Sequence, residues 1–330
     1  MIQPREQAPV SRVIVSPSGL VQLHEGDCLR WLAEQADHSF EAVVTDPPYG
    51  MLEYTPEQMK KLRQGRGGVW RIPPSIGGHK RAPVPRFTVL EDRDLAALYD
   101  FFREWGETLR PKLVPGAHVF IATSPLLSHV VSQAMVDAAF EKRGEIVRLT
   151  QTLRGGDRPK NAEDEFSAVT VMPRSAWEPW VIFRKRCEGT VAENLRKWRT
   201  GGLRRLETGP FLDVISSRPT RPDERKLAPH PSLKPQAFLR QVVRAALPLG
   251  EGTVLDPFAG SGSTLAACEA VGYRGVGVEV DADYVTLAMT AIPALSQLSV
   301  PESSSSISNA ERSSGRGRSR SLRALPRRNA

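Results

Sequence analysis

Residues that could do chemistry end a predicted β-strand at Val43 to Gly50, which reads VVTDPPYG. The β-branched run predicts a strand, and the prolines stop it, because proline lacks an N–H and fixes φ. The strand therefore ends in a carboxylate, Asp46, and an aromatic ring, Tyr49, on a stiff turn made by Pro47 and Pro48. The plain alternative is a strand-ending turn in which Asp46 only caps a following helix.

A second candidate site is a glycine-rich turn between a strand and a helix, VLDPFAGSGSTLAA, which starts at Val254. Gly260 and Gly262 would let the backbone approach a ligand, and the helix amino terminus would present free N–H groups. Glu279 ends the next strand, where an acid binds ribose hydroxyls in dinucleotide folds. Phosphate is disfavoured, because the turn has no P-loop lysine and no GxGxxG, and Asp256 would repel a pyrophosphate. A ligand with ribose, a cationic amine and no phosphate is S-adenosylmethionine (SAM); a plain strand-to-helix turn is the competing interpretation.

Taken together and in order, these motifs resemble the amino-group DNA methyltransferases of the permuted β-class arrangement, in which the catalytic motif comes first and the cofactor loop last. The resemblance covers most of Val21 to Ile292. Its main segments are HEGDCLRWL (24–32), DPPY (46–49), HPSLKP (230–235), DPFAGSGS (256–263) and GVEVD (277–281). The stretches TLRPKLVPGAHVFIA and EPWVIFRK resemble two further sheet segments of that family.

The resemblance implies an α/β fold with a doubly wound, mostly parallel, seven-stranded sheet, Rossmann-like and of the class I SAM-dependent methyltransferase type. It also implies that the cofactor-loop strand lies beside the VVTDPPY strand, where open α/β sheets bind ligands. The expected organisation is a catalytic half at 12–186 with a mobile insert at 51–90, a target-recognition segment at 187–228, the SAM-binding half of the same fold at 229–296, and a disordered basic tail at 297–330.

The same resemblance implies a mechanism for the DPPY motif. Asp46 accepts one N–H of an exocyclic base amine, and a carbonyl of the Pro47-Pro48 turn accepts the other, so that the nitrogen lone pair points at the methyl group. Tyr49 supplies a ring for a base removed from its stack. Positioning then exceeds acid–base chemistry, and no histidine base is needed.

The resemblance also implies a target base, because in that family an aspartate at the first position of the motif favours adenine N6 and a serine favours cytosine N4. The predicted activity is therefore site-specific methylation of adenine N6 in double-stranded DNA by base flipping. Cytosine N4 methylation is the alternative within the class. A SAM-binding nucleic-acid-binding protein without turnover is the alternative from another class.

The resemblance implies cofactor-binding residues in four of the matching segments. We expect Asp27 to meet the adenine of the cofactor, and Lys234 either to contact its carboxylate or to be only solvated. We expect Asp281 to cap the helix that follows Glu279. The full predicted set is Asp27, Cys28, Lys234, Asp256, Phe258, Ala259, Gly260, Ser261, Gly262, Glu279 and Val280.

Composition places weaker bounds on function. The net charge is +8, but seven arginines against two glutamates after Val300 make most of it, so charge alone is weak evidence for nucleic-acid binding. The three cysteines are far apart and form no zinc spacing, which favours a reduced, cytoplasmic protein without a metal. No run of about 18 apolar residues predicts a transmembrane helix, and the amino terminus does not resemble a secretory signal.

Three segments of the sequence each allow two interpretations. The insert at 51–90, rich in Gly, Pro and Arg, is either disordered or a basic loop that closes on substrate. The stretch from Arg196 to Arg225 either recognises the target sequence or is a solvated face. The Arg-rich tail either adds salt-sensitive DNA affinity or adds nothing measurable. A partner restriction endonuclease and the choice between monomer and homodimer are left open.

Overall fold

The chain was examined as a computed structural model, which describes residues 12–47, 75–76, 79–80, 92–154, 159, 162, 164–171, 173, 175–230 and 232–300. One compact unit spans residues 1–300. Pro48, Tyr49, almost all of the 51–90 insert and the tail beyond residue 300 lie outside the described residues, so the predictions made for them stay predictions.

Eleven strands and eight helices make up the described part of the chain. The strands are β1 Val13–Val15, β2 Val21–Glu25, β3 Phe40–Thr45, β4 Ser75–Ile76, β5 His79–Lys80, β6 Leu113–Ala122, β7 Glu141–Arg154, β8 Ser175–Arg184, β9 Val214–Ser216, β10 Thr253–Asp256 and β11 Arg274–Glu279. The helices are α1 Cys28–Ala33, α2 Asp92–Lys112, α3 Ser128–Asp137, α4 Val191–Trp198, α5 Pro222–Leu227, α6 Gln236–Ala246, α7 Ser263–Val271 and α8 Ala282–Ser296.

Nine of these strands form one sheet in the order β1-β2-β11-β10-β3-β6-β8-β7-β9. Five of its eight pairings are parallel, and the antiparallel ones involve β1 and β8. The seven predicted strands are all present. The sequence missed β1 and β9, because three residues are too few to show a strand period. The sequence of Trp177 to Lys185 also predicts a strand that pairs with β7 at the edge of the sheet. This pairing is present, but β8 lies between β6 and β7 and is not an edge strand.

Helices cover both faces of the sheet, which confirms the doubly wound fold class. On β3, Ala42 and Val44 face the apolar core built with α6, α7 and α8, whereas Val43 faces the core built with α1, α2 and α3. All three side chains are fully buried. The unbroken β-branched run before Asp46 therefore reflects a central parallel strand that is covered on both sides.

The two candidate motifs follow neighbouring strands. Val254 and Leu255 of β10 pair in parallel with Ala42 and Val43 of β3. From β10 the chain crosses to β11 on one side, and from β3 it continues to β6 on the other, so the strand order reverses between them. This is the topological switch point, and the predicted adjacency of the two strands is confirmed.

Candidate active site

The Asp46 carboxylate is held by a segment nearly two hundred residues away in the sequence. Its Oδ2 accepts a hydrogen bond of 2.6 Å from the Ser232 hydroxyl and one of 2.5 Å from the Lys234 ammonium. Charge-assisted hydrogen bonds of this length are among the stronger contacts in proteins. Pro47, the next residue, is buried. Asp46 is therefore fixed in orientation at the carboxyl end of β3.

The same HPSLKP segment also reaches the glycine-rich turn. A Cβ placed on Gly260 would lie 3.2 Å from Nε2 of His230, and the His230 ring packs edge-on against Tyr284 at 4.4 Å between ring centres. The Ser232 amide donates to Nδ1 of His230 at 3.1 Å, and burial lowers the pKa of this histidine, so the ring is neutral at pH 7. The structure thus brings Asp46 and Gly260 to the same edge of the sheet.

Glu279 closes the glycine-rich turn at the end of β11. Its Oε2 accepts from the Gly260 amide at 2.7 Å, and its Oε1 accepts from the Asp281 amide at 2.8 Å. Burial raises the pKa of Glu279. Each carboxylate oxygen has a second lone pair, so both oxygens can still accept a ligand hydroxyl. Asp281 caps α8 through the Asp283 amide, as predicted.

The two glycines of the turn are required for different reasons. Gly260 has a φ of +51° beside His230, at the edge where the ligand is expected. Gly262 has a φ of +82°, and a Cβ there would lie 2.5 Å from Cγ1 of Ile292, so close packing of α7 on α8 explains this glycine. Ala259 is buried, and its amide donates to the Val278 carbonyl of β11 at 2.9 Å.

Asp256 is buried at the end of β10. Its side chain is 2% exposed, and Oδ1 accepts from the Thr45 hydroxyl at 2.7 Å and from the Phe258 amide at 3.2 Å. Burial raises the pKa of Asp256 to about 6. The carboxylate therefore joins β10 to β3. Its predicted contact with a cofactor amine stays a prediction.

The amino-terminal part of the predicted cofactor set lies next to Glu279. The Gly26 amide donates to the Glu279 carbonyl at 2.9 Å, which places the turn after β2 beside β11. Asp27 caps α1 and accepts from the Arg30 amide at 3.0 Å. Cys28 is buried, and burial together with the neighbouring Asp27 raises its pKa to about 12, so it is an unreactive thiol.

Of the remaining predicted cofactor-binding residues, two are packed in the interior or buried, and one is exposed. Phe258 packs against Phe101 and Trp105, with ring centres 6.0 and 5.8 Å apart. Ser261 is 1% exposed, and its hydroxyl has no hydrogen-bond partner among the described residues. Val280 is 69% exposed directly after Glu279, where an apolar ligand group would cover it.

Sequence reasoning missed three groups at this site: Ser232, Glu178 and Arg148. The Lys234 ammonium lies 3.7 Å from Oε1 of Glu178, and the Arg148 guanidinium donates to Oε2 of Glu178 at 3.0 Å. The signal available was an acid directly before the apolar run of β8. The predicted contact of Lys234 with a cofactor carboxylate stays a prediction; in this structure its ammonium faces Asp46.

The proposed recognition segment at 187–228 has one part near the amino-terminal ends of the parallel strands and another near their carboxyl-terminal ends, where Asp46 lies. Asn194 of α4 donates to the Pro115 carbonyl at 2.9 Å, close to the start of β6 and therefore opposite Asp46. After β9 the chain reaches the Asp46 edge, because the Thr220 hydroxyl donates to the Leu233 carbonyl at 2.7 Å. Only the part after β9 is placed to meet a substrate at Asp46.

The polar side chains at the glycine-rich turn fit a ribose-bearing, cationic ligand better than a phosphate. Glu279, Asp27 and Asp281 cluster there, and these acids would repel a phosphate and attract hydroxyls and an ammonium. The unpartnered Ser261 hydroxyl is a further polar group buried beside the turn. Within the described ranges, no group of three His, Cys, Asp or Glu side chains is arranged to hold a metal ion.

The fold defines a Rossmann-like α/β protein in which Asp46 and the glycine-rich turn follow adjacent strands at the switch point of its sheet. The family model described as DNA methylase, for N6 and N4 methyltransferases, matches residues 40–290. The match covers most of the chain, so the chain belongs to this DNA methylase family. None of the described helices has the length and apolar character needed to cross a membrane.

Individual relatives share little sequence identity with this chain, but the matches cover most of both chains. Type II methyltransferase M2.DpnII of Streptococcus pneumoniae is 22% identical over 270 residues, which are 81% of this chain and 87% of the relative. TTHA0409 of Thermus thermophilus, a DNA modification methylase by its description, was solved in complex with S-adenosyl-L-methionine. It shares 20% identity and a TM-score of 0.52 over 84% of this chain and 95% of its own. The PvuII DNA methyltransferase, described as cytosine-N4-specific, shares 14% identity and a TM-score of 0.56 over 88% and 93%.

Proposed function

We propose that this protein uses SAM to methylate the exocyclic N6 of adenine in double-stranded DNA. The observation that carries the proposal is the placement of Asp46, fixed by Ser232 and Lys234, at the sheet edge that also holds the Gly260 turn and Glu279. Membership of the DNA methylase family supports the reaction class. The structure of TTHA0409 with S-adenosyl-L-methionine supports the cofactor.

The residues that would hold the cofactor are those around the glycine-rich turn. Glu279 accepts the ribose hydroxyls, Val280 covers an apolar face of the adenine, and Asp27 lies beside them at the start of α1. When bound, SAM supplies an electrophilic methyl group on its sulfonium. Because the turn and Asp46 follow adjacent strands, the cofactor and the target base would meet between β10 and β3.

Asp46 is proposed to accept an N–H of the target amine. The amine is a poor nucleophile, because its lone pair is delocalised into the base; a carboxylate contact favours the pyramidal nitrogen that can attack. Such a charge-assisted hydrogen bond contributes about 1.5–3 kcal/mol. Alignment of the reacting atoms contributes up to roughly 7–11 kcal/mol, so positioning is the larger effect. The methylated nitrogen would then lose one proton to solvent or to the Asp46 carboxylate that accepts its N–H.

Tyr49 and Pro48, which lie outside the described residues, are proposed to contact the target base. A ring that stacks on the extruded base contributes on the order of 1–3 kcal/mol, comparable with the few kcal/mol that flipping costs. The preference for adenine rests on the aspartate at the first position of the motif. Cytosine N4 is the competing base, because both amines present the same two N–H groups. A partner restriction endonuclease stays a prediction.

The test is a methyl-transfer assay with purified protein, isotopically labelled SAM and unmethylated genomic DNA. We expect nucleoside mass analysis of the digested DNA to show labelled N6-methyladenine. Labelled N4-methylcytosine would overturn the base assignment and keep the reaction class. Tight SAM binding by calorimetry without any labelled base would favour the binding protein without turnover. Long-read sequencing of the treated DNA would report the methylated site.

A further inference from the structure

A chain of buried charges continues from Asp46 into the sheet. Lys234, Glu178 and Arg148 are each at most 8% exposed. The Lys234 ammonium lies 2.5 Å from Asp46 and 3.7 Å from Glu178, and Arg148 donates to Glu178 at 3.0 Å. The charges alternate in sign along the chain, so each group inside it has an oppositely charged neighbour.

The inner pair is fixed by its own contacts. Arg148 and Glu178 lie directly opposite each other on β7 and β8. The Arg148 guanidinium also donates to the Ser217 hydroxyl at 3.1 Å and lies 5.1 Å above the centre of the Phe238 ring. Oε1 of Glu178 accepts from the Trp180 indole at 2.8 Å. These contacts leave neither side chain free to change rotamer.

A lysine side chain needs such support to act as a fixed donor. Its four-carbon stem has many rotamers, and its ammonium has no preferred plane. Glu178 gives the Lys234 ammonium a second carboxylate, 3.7 Å away. Arg148 compensates much of the charge of Glu178, so Glu178 steadies the ammonium without drawing it away from Asp46.

We propose that the Arg148–Glu178 pair is a positioning element that holds the Lys234 ammonium against the Asp46 carboxylate and so fixes the catalytic acceptor. This inference rests on the function proposed above for Asp46. Glu178 and Arg148 act through Lys234 and do not touch the substrate. Burial of the pair on two rigid strands keeps the acceptor in one orientation, which the alignment of amine and methyl group requires.

The first test is Glu178→Gln, which keeps the side-chain volume and removes the charge. We expect the single-turnover methyl-transfer rate to fall roughly 10- to 100-fold, as for a small misplacement of a reacting group. We expect the dissociation constants for SAM and DNA to stay unchanged. A crystal structure of the variant should show the Lys234 ammonium beyond salt-bridge distance of Asp46, about 4 Å. A wild-type rate with Lys234 in place would overturn the inference.

A control pair lies on the same two strands at the opposite edge of the sheet. Arg184 of β8 donates to Glu141 of β7 at 2.7 Å, and Arg184 is 8% exposed. Glu141→Gln should leave the methyl-transfer rate per folded molecule unchanged. If it lowered the rate as much as Glu178→Gln, the effect would be one of general sheet stability and the inference would be overturned.

A double variant covers the case in which the single variant folds poorly. Arg148→Met with Glu178→Gln removes both buried charges, a replacement that often keeps or raises stability. We expect the melting temperature to recover and the rate to stay low; recovery of both would show a purely structural pair. If wild-type protein methylates no DNA, the function and this inference fail together. If wild-type protein methylates DNA and Glu178→Gln equals it, only the inference fails.

Discussion

Thr45 donates a hydrogen bond of 2.7 Å to Asp256 although the two residues are 211 positions apart. Thr45 is the last residue of β3, directly before Asp46, and Asp256 is the last residue of β10, directly before the glycine-rich turn. Both side chains are at most 2% exposed. The bond ties the strand of the proposed catalytic acid to the strand of the proposed cofactor turn, so the two halves of the site are held at a fixed separation.

Removal of the charge at Asp46 should abolish methyl transfer while SAM binding survives. We expect Asp46→Asn to lower the rate by about 100- to 1,000-fold, the loss seen when one preorganised polar group is removed. The reason is that an amide cannot replace the carboxylate as acceptor for Ser232, Lys234 and the target amine together. Single-turnover kinetics and SAM calorimetry measure the two effects. Asp137→Asn, an exposed site on α3, is the control. A near wild-type rate for Asp46→Asn would refute the role.

Removal of the charge at Glu279 should act on the cofactor and not on the base. Glu279→Gln should weaken SAM affinity about 10- to 100-fold, since hydrogen bonds to a charged group contribute about 1.5–3 kcal/mol. Calorimetry with SAM measures this directly. Glu251→Gln, an exposed acid that pairs with Arg199 before β10, is the matched control. Unchanged affinity in Glu279→Gln would count against the ribose assignment.

The buried Asp256 should give the protein an unusual dependence of stability on pH. The folded chain keeps this proton up to about pH 6, whereas the unfolded chain releases it near the ordinary pKa of 3.8. Between these values the folded chain binds more protons, so the contribution of Asp256 to stability falls as the pH rises and stays low above pH 6. A pKa difference of this size corresponds to about 3 kcal/mol.

Asp256→Asn isolates this contribution from the other carboxylates. Urea unfolding of both proteins at several pH values between about 4 and 7 gives the difference in the free energy of unfolding. We expect the wild type to lose up to about 3 kcal/mol relative to the variant over this interval. Parallel stability curves for the two proteins would show that Asp256 is ionised throughout.

Within the described segment 187–228, arginines near the Asp46 end of the strands should contribute more to DNA binding than arginines near the opposite end. Arg218 is exposed after β9, near the contact between Thr220 and Leu233, whereas Arg196 is exposed on α4 near the opposite edge. Arg218→Ala should reduce the slope of log binding constant against log salt by about 0.9, the value for one lost phosphate contact. Arg196→Ala should leave it unchanged. Equal effects of the two changes would mean that DNA binding is not confined to the Asp46 edge.

The sequence by itself determined the fold class and the two chain segments that meet in the site. Buried strands with a continuous apolar run, followed by proline or glycine signals, are local patterns, so VVTDPPY and VLDPFAGSG could be recognised without coordinates. The cap at Asp281 followed from a local rule, and the seven-stranded sheet followed from the resemblance to a known family. Membership of the DNA methylase family then confirmed the reaction class that these motifs implied, which is methylation of DNA.

Only the tertiary structure decided which side chains face one another. Asp256 is buried against Thr45, and Ser232 and Lys234 donate hydrogen bonds to Asp46. Lys234 in turn lies close to Glu178. Each of these contacts joins residues that are distant in sequence. No local pattern specifies such pairs, because the register between strands and the path of the chain between them set the distances. The sequence therefore identified the chemical groups, and the packing of β3, β8 and β10 decided which of them act on Asp46.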